Sequence, residues 1–147
     1  MKLIAKICTL LLLLGFISCN EVAEISFHQS HDPKRHNAPY SDVVEADGFL
    51  FLTGQIGTDP ATRKLAEGGI KAQTRQVIEN IKAVLEHHNA SLDRVVKCTV
   101  ILADINDFAA FNEVYTTYFT KKPARTTFAA ADLAADAMIE IDVIAVK

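Results

Sequence analysis

The chain has 147 residues, enough for one domain with one core once a leader is set aside. Half of the residues are apolar and 22% are charged, which excludes a disordered chain. The formal net charge is −3, from 15 basic and 18 acidic residues, with no basic stripe, so nucleic acid is not the expected partner.

Lys2 and Lys6 precede an apolar run from Ile7 to Ile17, a charged n-region followed by an h-region too short to span a bilayer. The run closes on Phe16-Ile17-Ser18-Cys19, which resembles a bacterial lipobox with Phe16 where leucine is usual. The expectation is a signal over residues 1–18 and a lipid-bearing Cys19, placing the protein at the bacterial cell envelope with the lipid as its only membrane contact. An ordinary secretory signal would instead leave Cys19 free. Removal of the signal also removes Cys8, so Cys98 is the one thiol of the domain and no internal disulfide can form. Residues 19–38 are polar and without sustained period, a tether on this reading. His28, His31, Asp32 and His36 fall within it, but their spacing fits no strong zinc pattern and no metal site is assigned.

The domain is expected over residues 39–147. Val43 to Ala46 reads as a strand, Asp47-Gly48 as a hairpin turn, and Phe49 to Thr53 as a second strand apolar on both faces. Asp59 to Lys64 forms a turn, and Leu65-Ala66 a brief extended piece. From Ile70 to His88 the residues Ile70, Thr74, Val77, Ile78, Ile81, Val84, Leu85 and His88 make one helical stripe, with Gln73, Gln76, Glu79, Lys82 and Glu86 outward and Asn89 as the C-terminal cap. Val95 to Ala103 reads as a strand with Val96, Cys98, Val100 and Leu102 on one face. A second helix runs from Asp107, its N-cap, to Phe119, with Phe108, Phe111, Val114, Tyr115 and Tyr118 inward. Ala124 to Ala130 and Met138 to Val146 are strands; in the latter Ile139, Ile141, Val143 and Ala145 oppose Glu140, Asp142, Ile144 and Val146. Two helices can cover one face of this sheet. The other face keeps apolar residues with nothing left in the chain to cover them, which predicts self-association.

Several segments are distinctive in their order: Ala38-Pro39-Tyr40-Ser41, Thr53-Gly54-Gln55-Ile56, Gln73 to Val77, Glu79 to Leu85, Ser91 to Lys97, Asp107-Phe108 with Phe111 to Tyr115, Pro123 to Thr127, and Ile139 to Val146. Together they resemble the RidA (YjgF-type) reactive intermediate deaminases from about Pro39 to the C-terminus. The resemblance implies an α+β, chorismate-mutase-like sheet backed by two helices, assembled as a homotrimer around a central barrel with its sites between subunits. It also implies hydrolysis of enamines and imines such as 2-aminoacrylate to 2-oxo acids and ammonia, without a cofactor. Arg125 falls where the family holds the substrate carboxylate, and Glu140 where it positions or activates water. Tyr40, Thr53, Gly54, Asn112 and Thr127 match positions that line the substrate pocket. Thr127 replaces a common cysteine, and Asn37-Ala38 replace a common Ile-Gly. Taken singly, each residue also has an ordinary reading. Arg125 would be a strand-start charge, Glu140 a solvated strand residue, Tyr40 and Asn112 packing or capping residues, and Thr53-Gly54 a strand-end turn. The alternative function is a non-catalytic trimeric binding module for small carboxylates or a protein partner.

Overall fold

The computed structural model describes residues 24–147; the expected signal over residues 1–18 and Cys19 lie outside them. Seven strands form one sheet: β1 (Ile25–His28), β2 (Val43–Ala46), β3 (Phe49–Leu52), β4 (Gln55–Ile56), β5 (Val95–Leu102), β6 (Ala124–Ala129) and β7 (Ile139–Val146). Two helices, α1 (Gly69–His87) and α2 (Phe108–Tyr118), pack on one side of it. The strand order is β1-β2-β3-β7-β5-β6, with β4 also paired to β7. All pairings are antiparallel except β5 with β6, which α2 connects as a crossover.

The local signals explain most of this. Asp47 and Gly48 both take positive φ, 51° and 76°, which gives the hairpin between β2 and β3 a twist matching its strands. Asn89 takes φ 59° just past α1, and its N–H donates to the Glu86 carbonyl. The apolar stripe of α1 is buried as its spacing requires, from Ile70 to Leu85. Ile139, Ile141, Val143 and Ala145 of β7 form the floor beneath it.

Five features depart from the sequence expectations. Residues 25–38 are not a free tether: Ile25 to His28 pair with β2, Pro33 to Arg35 form a 3-10 turn, and the Arg35 guanidinium meets the buried Asp42 carboxylate at 2.8 Å. A four-residue strand carries too few alternations to stand out in a polar stretch. Gln73 is buried rather than outward, because its Oε1 accepts from the Met138 backbone N–H at 2.9 Å. A register shift between Val95 and Lys97 turns Val95 into the core and Val96 out. The cap before α2 is Asp104, whose carboxylate accepts from the Asn106 N–H, while Asp107 takes helical angles and makes no side-chain cap. Phe108 stands half-exposed at the start of α2 instead of in the core.

Phe49 to Leu52 alternates cleanly. Leu50 and Leu52 face the helices, while Phe49 and Phe51 remain 40% and 42% exposed. The pairing registers align Ile25, Ala46, Phe49 and Val146 in one row, and Phe27, Val44, Phe51 and Ile144 in the next. The face away from the helices is therefore apolar across four strands, and nothing else in the described chain covers it.

Replacement of Ile78, fully buried between α1 and the sheet, by alanine is expected to lower stability by about 2–5 kcal/mol in denaturant unfolding.

Candidate functional site

The predicted site residues fall into two groups. Tyr40, Thr53, Gly54 and Glu140 line one cleft of about 440 Å³, within the range of small-molecule sites. It lies where β3 passes into β4 and β4 pairs with β7. Gly54 is required there: a Cβ at that position would collide with the Glu140 carboxylate and come within 2.8 Å of its Cδ. Arg35 and Arg63 also line this cleft, each paired with an aspartate, Asp42 and Asp32 respectively. Sequence reading did not single out either arginine, since each stands alone in a loop.

Arg125 and Asn112 meet in a second cleft, with Tyr115, Phe119 and Pro123. Nη1 of Arg125 donates to Oδ1 of Asn112 at 2.8 Å. Its guanidinium carbon lies 4.6 Å from the Tyr115 ring centroid, 5.1 Å from Phe111 and 5.5 Å from Phe108. The aromatic face of α2 is thus a shelf for a planar cation. Phe108, expected in the core, is part of that shelf. Among the described residues no carboxylate lies within ion-pair reach of Arg125. The fork is fixed in place yet unneutralised, which suits two-point contact with an anionic group.

Beneath the shelf the Tyr115 hydroxyl donates to Sγ of Cys98 at 3.3 Å. Cys98 is fully buried in the core, and burial pushes its thiol up to about 11. Burial and the Cys98 contact also raise the Tyr115 hydroxyl. Thr127 follows Arg125 by two residues on the same face of β6, and its buried Oγ1 has no hydrogen-bond partner.

The two groups lie on opposite faces of the sheet. Arg125 and Thr127 pair with Cys98 and Val100, whose side chains are buried under the helices. Glu140 pairs with Ile101, which points the other way. Tyr40, Thr53, Gly54 and Glu140 therefore come together in one chain, as do Arg125 and Asn112, but the two sets do not. Asp32 separates from the tether histidines His28 and His31. His28 and His31 contact the end of α1, whereas Asp32 pairs with Arg63.

A sequence profile described as Endoribonuclease L-PSP matches residues 27–147, so the match includes the second half of β1 and the turn after it. A RutC family protein of Pyrococcus horikoshii is 53% identical over 110 residues, covering 74% of this chain and 87% of that protein. Protein DfrA of Myxococcus xanthus is 43% identical over 129 residues, covering 86% and 98%. Among solved structures, RidA from the Antarctic bacterium Psychrobacter is 40% identical with a TM-score of 0.72, covering 76% of this chain and 90% of that one. TdcF of E. coli, solved with bound serine, is 34% identical with a TM-score of 0.70, covering 74% and 88%.

Gly54→Ala is expected to push the Glu140 carboxylate out of its cleft while the fold survives. A crystal structure of the variant checks this, with the Glu140 side chain in a new rotamer and the backbone of β7 unchanged.

Proposed function

This chain belongs to the endoribonuclease L-PSP family, the RutC/RidA (YjgF-type) proteins, and we propose that it is a deaminase that hydrolyses small imino acids to 2-oxo acids and ammonia. The observation that carries this reading is the unneutralised Arg125, fixed by Asn112 and three aromatic rings. Such a group is a receptor for a small carboxylate. The serine bound in TdcF is itself an amino acid with a free carboxylate.

An enamine acid first tautomerises to its imine. Arg125 donates two hydrogen bonds to the carboxylate and orients the imine carbon, and placement alone contributes much of the rate. Glu140 takes a proton from water, or orients it, as the water oxygen bonds to the imine carbon. The imine nitrogen takes up that proton to give a carbinolamine; the carbinolamine hydroxyl then gives its proton to the nitrogen as the carbon–nitrogen bond breaks, so ammonia leaves and the 2-oxo acid remains. Thr127 and Asn112 offer further hydrogen bonds near the carboxylate, and Tyr40, Thr53 and Gly54 shape the cleft around Glu140.

Because Arg125 and Glu140 lie on opposite sheet faces, one reaction site draws Arg125 from one subunit and Glu140 from another. The uncovered apolar face supplies the reason to assemble, and a homotrimer with that face inward satisfies both requirements. A family name that carries ribonuclease activity does not alter this reading. An acidic chain, with two of its five arginines already paired to aspartates, offers no basic track for a phosphate backbone. If residues 1–18 act as an export signal, the activity lies at the cell envelope, and a binding module for small carboxylates is then the second reading, favoured by the distance from cytosolic sources of 2-aminoacrylate.

The test is turnover of 2-aminoacrylate generated in situ by the full-length chain. Arg125→Ala is expected to lose activity by a factor on the order of 10² or more, with the assembly intact by light scattering. Wild-type-like turnover in Arg125→Ala would refute the role of Arg125. No acceleration by the assembled wild type would leave the binding module.

A further inference from the structure

Four of the chain's five histidines meet where β1 ends against the C-terminus of α1. His28 stands edge-on to His88 with ring centroids 4.7 Å apart. His87 lies 5.3 Å from His88, and His31 stacks on His87 at 5.2 Å. These are ring-to-ring contacts; among the described residues no three His, Cys, Asp or Glu side chains are grouped to hold a metal ion. Nε2 of His28 is buried without a hydrogen-bond partner. The acid nearest it, Glu45, is 3.6 Å away and is already engaged by Lys147 at 2.8 Å.

From this cluster the chain runs on as a strap, residues 29–42, and returns to β2. Ser30, His31, Asp32, Arg35 and Tyr40 of the strap line the same cleft as Glu140. Ion pairs from Asp32 to Arg63 and from Arg35 to Asp42 hold the rest of the strap.

We propose that this histidine quartet is an acid-released clasp: its rings dock the start of the strap on α1, and positive charge gathered there at low pH frees that start, beside the Glu140 cleft. The charges around the quartet set the direction. His88 faces His28 from β1, Glu45 from β2, Lys147 from beyond β7 and His87 on its own helix. His31 faces His87. Glu45 is the one acid of that set, and it is shared with Lys147. The carbonyl end of α1 favours one imidazolium. Two imidazoliums at these ring separations, with Lys147 beside them, repel one another.

Burial lowers the His88 value below its ordinary 6.5, the neighbouring His28, His87 and Lys147 lower it further, and Glu45 opposes them. A histidine with a depressed docked value holds most firmly above its ordinary value and loses its hold as the pH falls toward the docked one. The Asp32–Arg63 pair does not release over this range. The backbone N–H of Lys34, with help from Arg63, keeps the Asp32 carboxyl below its usual value.

The test is hydrogen exchange of the full-length chain at about pH 7.5 and about pH 5, on either side of the ordinary imidazole value, with rates corrected for intrinsic pH dependence. Peptides spanning residues 29–42 are compared with those spanning 77–85 in the core of α1. In the wild type, acidification is expected to speed exchange of the strap several-fold and leave the α1 core unchanged. His88→Gln and His31→Gln are expected to blunt that response, and His31 is exposed, so its replacement does not endanger the fold. Three results would each overturn the clasp: strap protection independent of pH, an undiminished response in both variants, or parallel loss of protection in the α1 core.

Discussion

Side chains alternate sides along a strand, and β5 shows what that demands of this protein. Cys98 and Val100 point under the helices, and their partners on β6, Arg125 and Thr127, point the same way. Ile101 points to the opposite face, as does its β7 partner Glu140. No rotamer change carries a side chain through a sheet. A site that uses both the Arg125 fork and the Glu140 carboxylate must therefore be completed by a second subunit. The apolar rows running from Ile25 and Phe27 to Val146 and Ile144 give that subunit a surface to bury. On the proposed reading, assembly and chemistry follow from one constraint.

The two halves of the site are held by different physics. Arg125 depends on packing: three rings and one amide fix a long, flexible side chain whose rotamer freedom would otherwise be lost on binding. Glu140 depends on an absence, since its carboxylate occupies the space that a side chain at position 54 would fill. The buried Cys98 and Tyr115 form the base on which the arginine shelf rests, and their raised values reflect that burial and not a catalytic task.

Much of this is legible in the sequence because the periodic segments are long. The α1 stripe spans five turns, and the eight residues of β7 alternate without a break. The Asp47-Gly48 hairpin and the Asn89 cap follow from backbone chemistry alone. What escapes the sequence is set by contacts distant in the chain. The edge strand β1 exists because β2 offers it hydrogen bonds, Gln73 is buried because Met138 needs an acceptor, and Val96 turns outward at a register shift that no pattern announces. The residues of the two clefts were singled out in the sequence, but their division between two sheet faces was not legible there. Strand alternation places Glu140 relative to β7 alone, and only the pairing of β6 with β5 places Arg125 relative to Glu140. The histidines, scattered along a polar stretch and at a helix end, gain meaning only when the fold brings them together.

The most direct test of the central claim is subunit complementation. Arg125→Ala and Glu140→Gln chains are each assembled alone, then mixed, unfolded and reassembled together, with mixed oligomers confirmed by mass spectrometry. If the site is shared, each variant alone is inactive and equal mixing restores about a quarter of wild-type turnover, the share of intact sites in a randomly mixed cyclic trimer. No recovery in confirmed mixed oligomers would contradict the account, because Arg125 and Glu140 would then be required from the same chain.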